Sequence, residues 1–395
     1  MKVIAVLEDD AASGGGFNQA LNAVLQMRNL CAGRYEFEVM TTRESNAVLL
    51  GKLGVRAEVF AFSVADKLLS YLASSPWWQA AQVRLRLTGP FEKRLLRRGC
   101  DLVYFVTPSP RASALQRLNY ITTVLDLCHR DTPEFPEVRA FAEFELRERL
   151  YRTSLPAAIA VLTDSPALAE TAARRYGVDR ERFIPMPFAP APFLEDAASA
   201  DKAAVLGRYR LGEGYYFYPA QFWAHKNHIR ILQALVLLKE RGHAARAAFA
   251  GGDKGNRPHL EAFVASAGLR DQVRFLGFVP AEDMRALYQG CRAVVMPTYF
   301  GPTNIPPLEA WLIGKPLIYS SHLGEQAGDA ALTVDPDDPD ALAQAMLACG
   351  NPETCTRLVR AGTLRLQHVE QQRKDAEAAL LARLRQFEAR RACWP

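Results

Sequence analysis

An α/β fold with two doubly wound parallel sheets is what this sequence predicts, on three observations. Short apolar runs alternate with amphipathic helical stretches along most of the chain, the pattern of βαβ units. A Pro-rich, then acidic and small-residue stretch over 185–201 has linker composition and splits that alternation into two series. The length of 395 residues suits two domains with a core each.

In the first series, apolar periodicity places strands at Val3–Leu7, Phe37–Thr41, Ala57–Phe60, Leu102–Phe105, Tyr120–Leu125 and Ala158–Leu162. A Ser-Gly-Gly-Gly loop, Ser13–Gly16, follows the first strand and precedes a helix from about Asn18 to Arg28. Such a loop lets a phosphate approach backbone N–H groups, although a lone Gly triplet is equally a flexible turn. Ala65–Arg98 is a long helical region broken at Pro76 and Gly89-Pro90; further helices fall at about 136–153 and 166–176. The second series has strands at Tyr215–Pro219, Ala247–Ala250, Val273–Leu276, Ala293–Met296, Pro316–Tyr319 and Leu332–Val334. Helices are expected at about 228–241, 257–267, 281–289, 306–313 and 338–349, with a charged amphipathic tail helix over 369–391.

Composition narrows the function classes only a little. With 49% hydrophobic and 23% charged residues and a net charge of +5, the chain has the profile of an ordinary soluble protein. The charge is uneven: Arg84, Arg86, Lys93, Arg94, Arg97 and Arg98 stand against Glu92 alone. Leu68–Arg98 mixes this cluster with Tyr71, Trp77 and Trp78, which suits a peripheral membrane surface as well as two core-facing helices. No aromatic RNA-binding motif accompanies it, so nucleic acid is not an expected partner. Seven scattered cysteines without metal-ligand spacing fit reduced thiols, and no run of about twenty apolar residues predicts a membrane span. The start MKVIAVLEDD is not of signal-peptide type, so a cytoplasmic location is expected.

The most informative stretch is 294–320, VVMPTYFGPTNIPPLEAWLIGKPLIYS. It predicts a buried strand, a Gly-Pro loop, a helix opened by Pro306 and Pro307 with Glu309 in its first turn, and a second strand after Gly314. A loop and helix start at a strand's C-terminal edge is where open α/β sheets bind nucleotides. Lys226 stands at another helix start, where the dipole opposes a cation; a bound anion explains it, and a solvated lysine is the plain alternative. Asp335, Asp337, Asp338 and Asp340, like Asp9 and Asp10, invite a metal reading, but Asp-Pro-Asp-Asp-Pro-Asp before a helix is turn and N-cap chemistry. No metal or other cofactor is expected.

Three motifs, YPAQFWAHKNHIRILQAL (218–235), VRFLGFVPAEDMRALYQGCRAVVMPTYFGPTNIPPLEAWLIGKP (273–316) and GEQAGDAALTVDPDDPDALAQAM (324–346), match in order and spacing those of retaining glycosyltransferases. The second half resembles the C-terminal domain of glycosyltransferase family 4, the group 1 glycosyltransferases. GGG (14–16), TTVLDLCHRDTPEF (122–135) and VLTDSPALAETAARRYGV (161–178) extend the resemblance more loosely. It implies a GT-B fold: two Rossmann-like domains facing a central cleft. An acceptor-side domain over 1–195 would carry the tail helix (about 370–395) packed back on it, and a nucleotide-sugar domain would span 205–369. It implies a nucleotide-diphosphate sugar as donor, a hexose or deoxyhexose as the transferred group, and a glycan or lipid-linked saccharide as acceptor, in surface polysaccharide or lipopolysaccharide synthesis.

By the same resemblance, Lys226 holds the diphosphate and Glu309 accepts hydrogen bonds from the ribose, while Gln221, Phe278, Thr303, Asn304 and Ile305 complete the donor site. Gly14, Gly15 and Gly16 would cap the donor, and Asp126 and His129 would join Lys226 in catalysis. Two positions depart from the family pattern: Gly301 stands where its first motif Glu is expected, and Gln221 where many relatives place an Arg. A non-catalytic sugar-nucleotide-binding subunit and a sugar-nucleotide epimerase or hydrolase are the alternatives. A dehydrogenase is disfavoured, because no GxGxxG follows the first strand.

Overall fold

The computed structural model describes residues 1–8, 15–73, 75–85, 87–196 and 201–394. The chain forms two compact units. Unit 1 comprises Met1–Pro133, Val138–Pro187 and Gln372–Pro395; unit 2 comprises Glu134–Glu137 and Phe188–Gln371.

Unit 1 is built on strands β1 (Lys2–Leu7), β2 (Glu36–Thr41), β3 (Ala57–Val59), β4 (Leu102–Phe105), β5 (Asn119–Val124), β6 (Ala160–Thr163) and β7 (Phe183–Pro185). They pair in parallel in the order β3-β2-β1-β4-β5-β6-β7. The first strand shows why both faces must be covered. Val3, Ala5 and Leu7 join one core, and Ile4 and Val6 join the other, as a period of two requires. Ala20, Val24 and Met27 of helix Gly15–Cys31 cover the first face. Ala376, Leu380, Leu384 and Phe387 of the C-terminal helix join them on one stripe.

Unit 2 carries β8 (Tyr215–Pro219), β9 (Ala247–Ala250), β10 (Val273–Gly277), β11 (Cys291–Met296), β12 (Leu317–Ser320) and β13 (Leu332–Val334). Again all pairs are parallel, in the order β10-β9-β8-β11-β12-β13. Chain order reverses between β8 and β11, the kind of switch point beside which open α/β sheets bind ligands.

Three boundaries differ from expectation. Phe183–Pro185, part of which the composition assigns to the linker, is a seventh strand paired with β6; three residues ending in Pro carry almost no strand signal. The tail helix begins at Pro352 and runs unbroken to Arg391. The helix after β11 begins at Ile305, so Glu309 is its fifth residue and not a first-turn carboxylate.

Candidate donor site

The loop after β8 is shaped by hydrogen bonds to its neighbours. The indole N–H of Trp223 donates to the Gln221 side chain at 3.1 Å. A short turn over Ala224–Lys226 ends at Asn227, which takes a left-handed conformation (φ 54°, ψ 36°) and caps helix His228–Glu240. Asn is among the few residues that adopt this conformation readily. Its side-chain amide donates to the carbonyls of Pro297 (3.0 Å) and Pro336 (2.8 Å), tying the β8 loop to the segments after β11 and β13. Next in sequence, His228 is sealed between Tyr218 and Phe222. Burial first, and the Lys226 charge second, push its pKa down to about 3, so it is neutral.

The loop after β11 meets this turn from the other side. The Tyr299 N–H donates to the His225 carbonyl at 2.9 Å, and the Thr298 hydroxyl reaches the same oxygen at 3.3 Å. The Phe300 ring stacks on the His225 imidazole, centroids 3.7 Å apart. Beyond it, the Lys226 ammonium donates to the Asn304 side-chain oxygen at 3.3 Å. Asn304 is itself fixed: its amide donates to Tyr319 Oη (2.7 Å) and to the Gly301 carbonyl (3.1 Å), and its main chain exchanges two bonds with Gln326. Tyr319 closes the network on Gln326 at 2.8 Å. Lys226 is thus aimed by a buried polar network with Tyr319 of β12 behind it.

Gly301 has a structural cause. Its φ is +107°, which side chains rarely adopt, and a Cβ there would lie 2.9 Å from the Asn304 side-chain oxygen. The conformation that lets Asn304 approach excludes the Glu that the family pattern places at this position. Backbone donors are also fewer than expected over 302–305. Pro302 has no N–H, and the Asn304 N–H is engaged by Gln326. Pro306 and Pro307 remove two more at the helix start.

Glu309 is buried, 5% exposed, and accepts a hydrogen bond from the Tyr288 hydroxyl; the Ala191 backbone is a further partner. Burial raises its pKa to about 7, against these hydrogen bonds. On the far side of β8, the Gly251 N–H donates to the Gly277 carbonyl at 2.8 Å, and a Cβ on Gly251 would lie 2.3 Å from the Ala220 carbonyl oxygen. Only Gly permits the loops after β8, β9 and β10 to converge this closely. Phe278 follows directly, 65% exposed, as a flat apolar surface. Lys226, Asn304 and Ile305 therefore cluster around the β8–β11 switch, with Gln221 and Thr303 on the same loops. Phe278 stands past the β10 end, and Glu309 one turn into the helix.

The Asp-rich run behaves as turn and cap chemistry. Asp338 accepts from the N–H groups of Asp340 and Ala341, Asp335 accepts from Asp337 N–H, and Asp337 binds Arg230 and Tyr299.

The expected residues of unit 1 fare differently. Gly14 lies outside the described residues, and Gly15 and Gly16 are the first two residues of helix Gly15–Cys31 rather than part of a loop. Asp126 accepts from Cys128 N–H (3.1 Å) and from Arg147 (2.8 Å). Burial opposes its charge, but Arg147 and the Cys128 bonds outweigh it and keep its pKa low. The His129 ring is fully buried, with Nε2 3.0 Å from Glu148, and is edged by Phe144 and Tyr151. Glu148 in turn binds Arg130 twice, Tyr176 and Arg152. The ring is thus enclosed by its neighbours in unit 1 and paired with Glu148, where the sequence predicts a catalytic side chain. Asp126 is likewise a fixed ion-pair member here.

Sequence reasoning missed Gln326 and Tyr319, although Gln326 lies in the GEQAGD motif that carried the resemblance. It also missed His225, directly before Lys226, and Glu137, which no local pattern singles out.

Comparison with known proteins bears on the class. The chain has the GT-B fold: the structure of Anabaena Alr3699/HepE in complex with UDP-glucose aligns over 97% of this chain and 100% of that one, with a TM-score of 0.72 and 18% identity. Within unit 2, residues 214–351 match the family model described as Glycosyl transferases group 1, which relates the chain to that family. O-antigen chain mannosyltransferase B of Escherichia coli is 29% identical over 232 residues, 58% of this chain and 60% of that protein's length. O-antigen chain mannosyltransferase RfbU of Salmonella typhimurium is 27% identical over 180 residues, 45% of this chain and 47% of that protein.

Proposed function

We propose that the protein is a retaining, metal-independent glycosyltransferase. It moves a hexose or deoxyhexose from a nucleotide-diphosphate sugar to a glycan or lipid-linked acceptor in bacterial surface polysaccharide or lipopolysaccharide assembly. The observation that carries this reading is Lys226, oriented by Asn304 at the β8–β11 switch point of unit 2. A fixed ammonium at that place is suited to the charge that develops on a departing diphosphate. Glu309 is the ribose acceptor in this reading, and the exposed Phe278 ring is a surface for the base. The two O-antigen mannosyltransferases support the acceptor class, and the UDP-glucose complex of the Anabaena protein supports the donor class. Thermal-shift titration with UDP-, GDP- and dTDP-sugars tests it. One nucleotide class is expected to stabilise the protein, and acceptor-dependent release of that nucleotide is expected to follow. Tight binding without turnover for any acceptor would favour a binding subunit instead.

The reading extends to the cytoplasmic face of a membrane. Val64, Leu68 and Tyr71 are exposed on one stripe of helix Val64–Leu72, and Trp77 is 88% exposed. Both acids of this region are internal. Asp66 binds Ser63 and the Phe91 N–H, and Glu92 binds the N–H groups of 116–118. The exposed charges there, Lys67, Arg84, Lys93, Arg94 and Arg97, are therefore all positive. Exposed apolar side chains and exposed cations in one stretch of sequence suit an anionic bilayer surface. Among the described residues no helix is long and apolar enough to cross a membrane. Sedimentation with phosphatidylglycerol vesicles, weakened by salt and by Trp77→Ala, is the expected result; equal sedimentation with phosphatidylcholine vesicles would contradict it.

A further inference from the structure

We infer that Glu137 is a positioning residue of the donor site, acting through His225 on Lys226; this rests on the reading of that site given above. Four residues distant in sequence, Glu134–Glu137, belong by their contacts to unit 2. Glu137 Oε1 accepts the His225 backbone N–H at 2.9 Å and also contacts the His225 ring nitrogen Nδ1. Phe135 packs beside it, edge-on to Phe300 (5.5 Å) and tilted against Tyr299 (5.3 Å).

His225 is the node between the two donor loops. Its carbonyl takes Tyr299 and Thr298 from the β11 loop, its ring stacks on Phe300, and its chain neighbour is Lys226. One carboxylate thus fixes both the main chain and the ring of the residue that precedes the phosphate-binding lysine. The second oxygen, Oε2, is buried with no hydrogen-bond partner. Burying an ionised carboxylate with one oxygen unsatisfied is costly, and a fold that needed only packing here would do better with an apolar residue. The hydrogen bonds from His225 hold the Glu137 pKa low against its burial, so the carboxylate stays ionised. In a site where Gly301 removes the usual motif carboxylate and Pro residues remove backbone donors, the aim of Lys226 depends on such remote support.

The test is calorimetric titration of UDP, GDP and dTDP into wild type, Glu137→Ala, Glu137→Gln, Lys226→Ala and the double Ala variant, with folding checked by circular dichroism. Wild type is expected to bind at least one diphosphate. Glu137→Ala should weaken that binding about tenfold. Glu137→Gln should recover part of it, because the amide oxygen still accepts the His225 N–H. The double variant should be no weaker than Lys226→Ala, since both changes remove one interaction. Unchanged or tighter binding in folded Glu137→Ala, or a loss that adds in full to that of Lys226→Ala, would overturn the inference. A wild type that binds none of the three would instead sink the donor-site reading, and the inference with it.

Discussion

Two segments carry the polar residues that the sequence singles out: the turn around Lys226 in unit 2 and the Asp126–His129 segment in unit 1. Both follow a parallel strand, both lead into a helix, and both contain a histidine. In unit 2 the polar groups converge on a strand-order reversal and hold an ammonium by its Asn304 contact. In unit 1 they close on one another, His129 on Glu148 and Asp126 on Arg147. The difference lies in helix Glu143–Ser154, which brings Arg147 and Glu148 over the strand end. A motif's residues state what chemistry is available; the long-range partners decide whether it faces a ligand or a neighbour.

The comparison is broken most strongly at Glu148. Its pKa is held far below the usual carboxylate range, first by Arg130 and then by Tyr176 and His129 against burial. Glu148→Ala leaves Arg130 and buried His129 without their partner and should cost about 3 kcal/mol of unit 1 stability, read by urea unfolding, while nucleotide affinity stays unchanged. The sign with pH follows from the lowered pKa. The stabilisation is present above the unfolded-state value, about 4.3, and is lost as pH falls. The gap between wild type and Glu148→Gln should therefore close in acid. A fall in nucleotide affinity for the folded variant would instead restore a donor role to this segment.

Next in size is Asn304→Ala, which removes the acceptor that aims Lys226 and should weaken diphosphate binding about tenfold. An unchanged Kd by titration would separate Asn304 from the site. The smallest expected effect is on Glu309. With its pKa near 7, the carboxylate form fills as pH rises, and this is the form that would accept the ribose hydroxyls in the proposed reading. Nucleotide affinity should drop about fourfold from about pH 8 to about pH 6.5, beyond any change shared by Glu309→Gln. Equal pH profiles for the two proteins would remove Glu309 from the ribose.

The parallel sheets were legible because runs such as Val3–Leu7 are apolar throughout, as strands covered on both faces require, and because most strands are bounded by turn residues. Lys226 and Asn304 were legible as parts of long motifs with fixed spacing. The start of the helix at Ile305 was not, because Asn304 is held by Gln326, 22 residues further on. The burial of His129 was hidden for the same reason, since Glu148 sits 19 residues away. Glu137 lies 88 residues from His225 and has no periodicity or motif of its own; only the fold brings the two together.

The central claim is that Lys226 recognises a diphosphate at the switch point of unit 2. Measuring the affinity of each nucleoside diphosphate against its monophosphate, in wild type and in Lys226→Ala, tests it most directly. The account predicts that wild type prefers one diphosphate over its monophosphate by about a hundredfold, and that the preference collapses in Lys226→Ala. A preference that survives intact in the folded variant would contradict it.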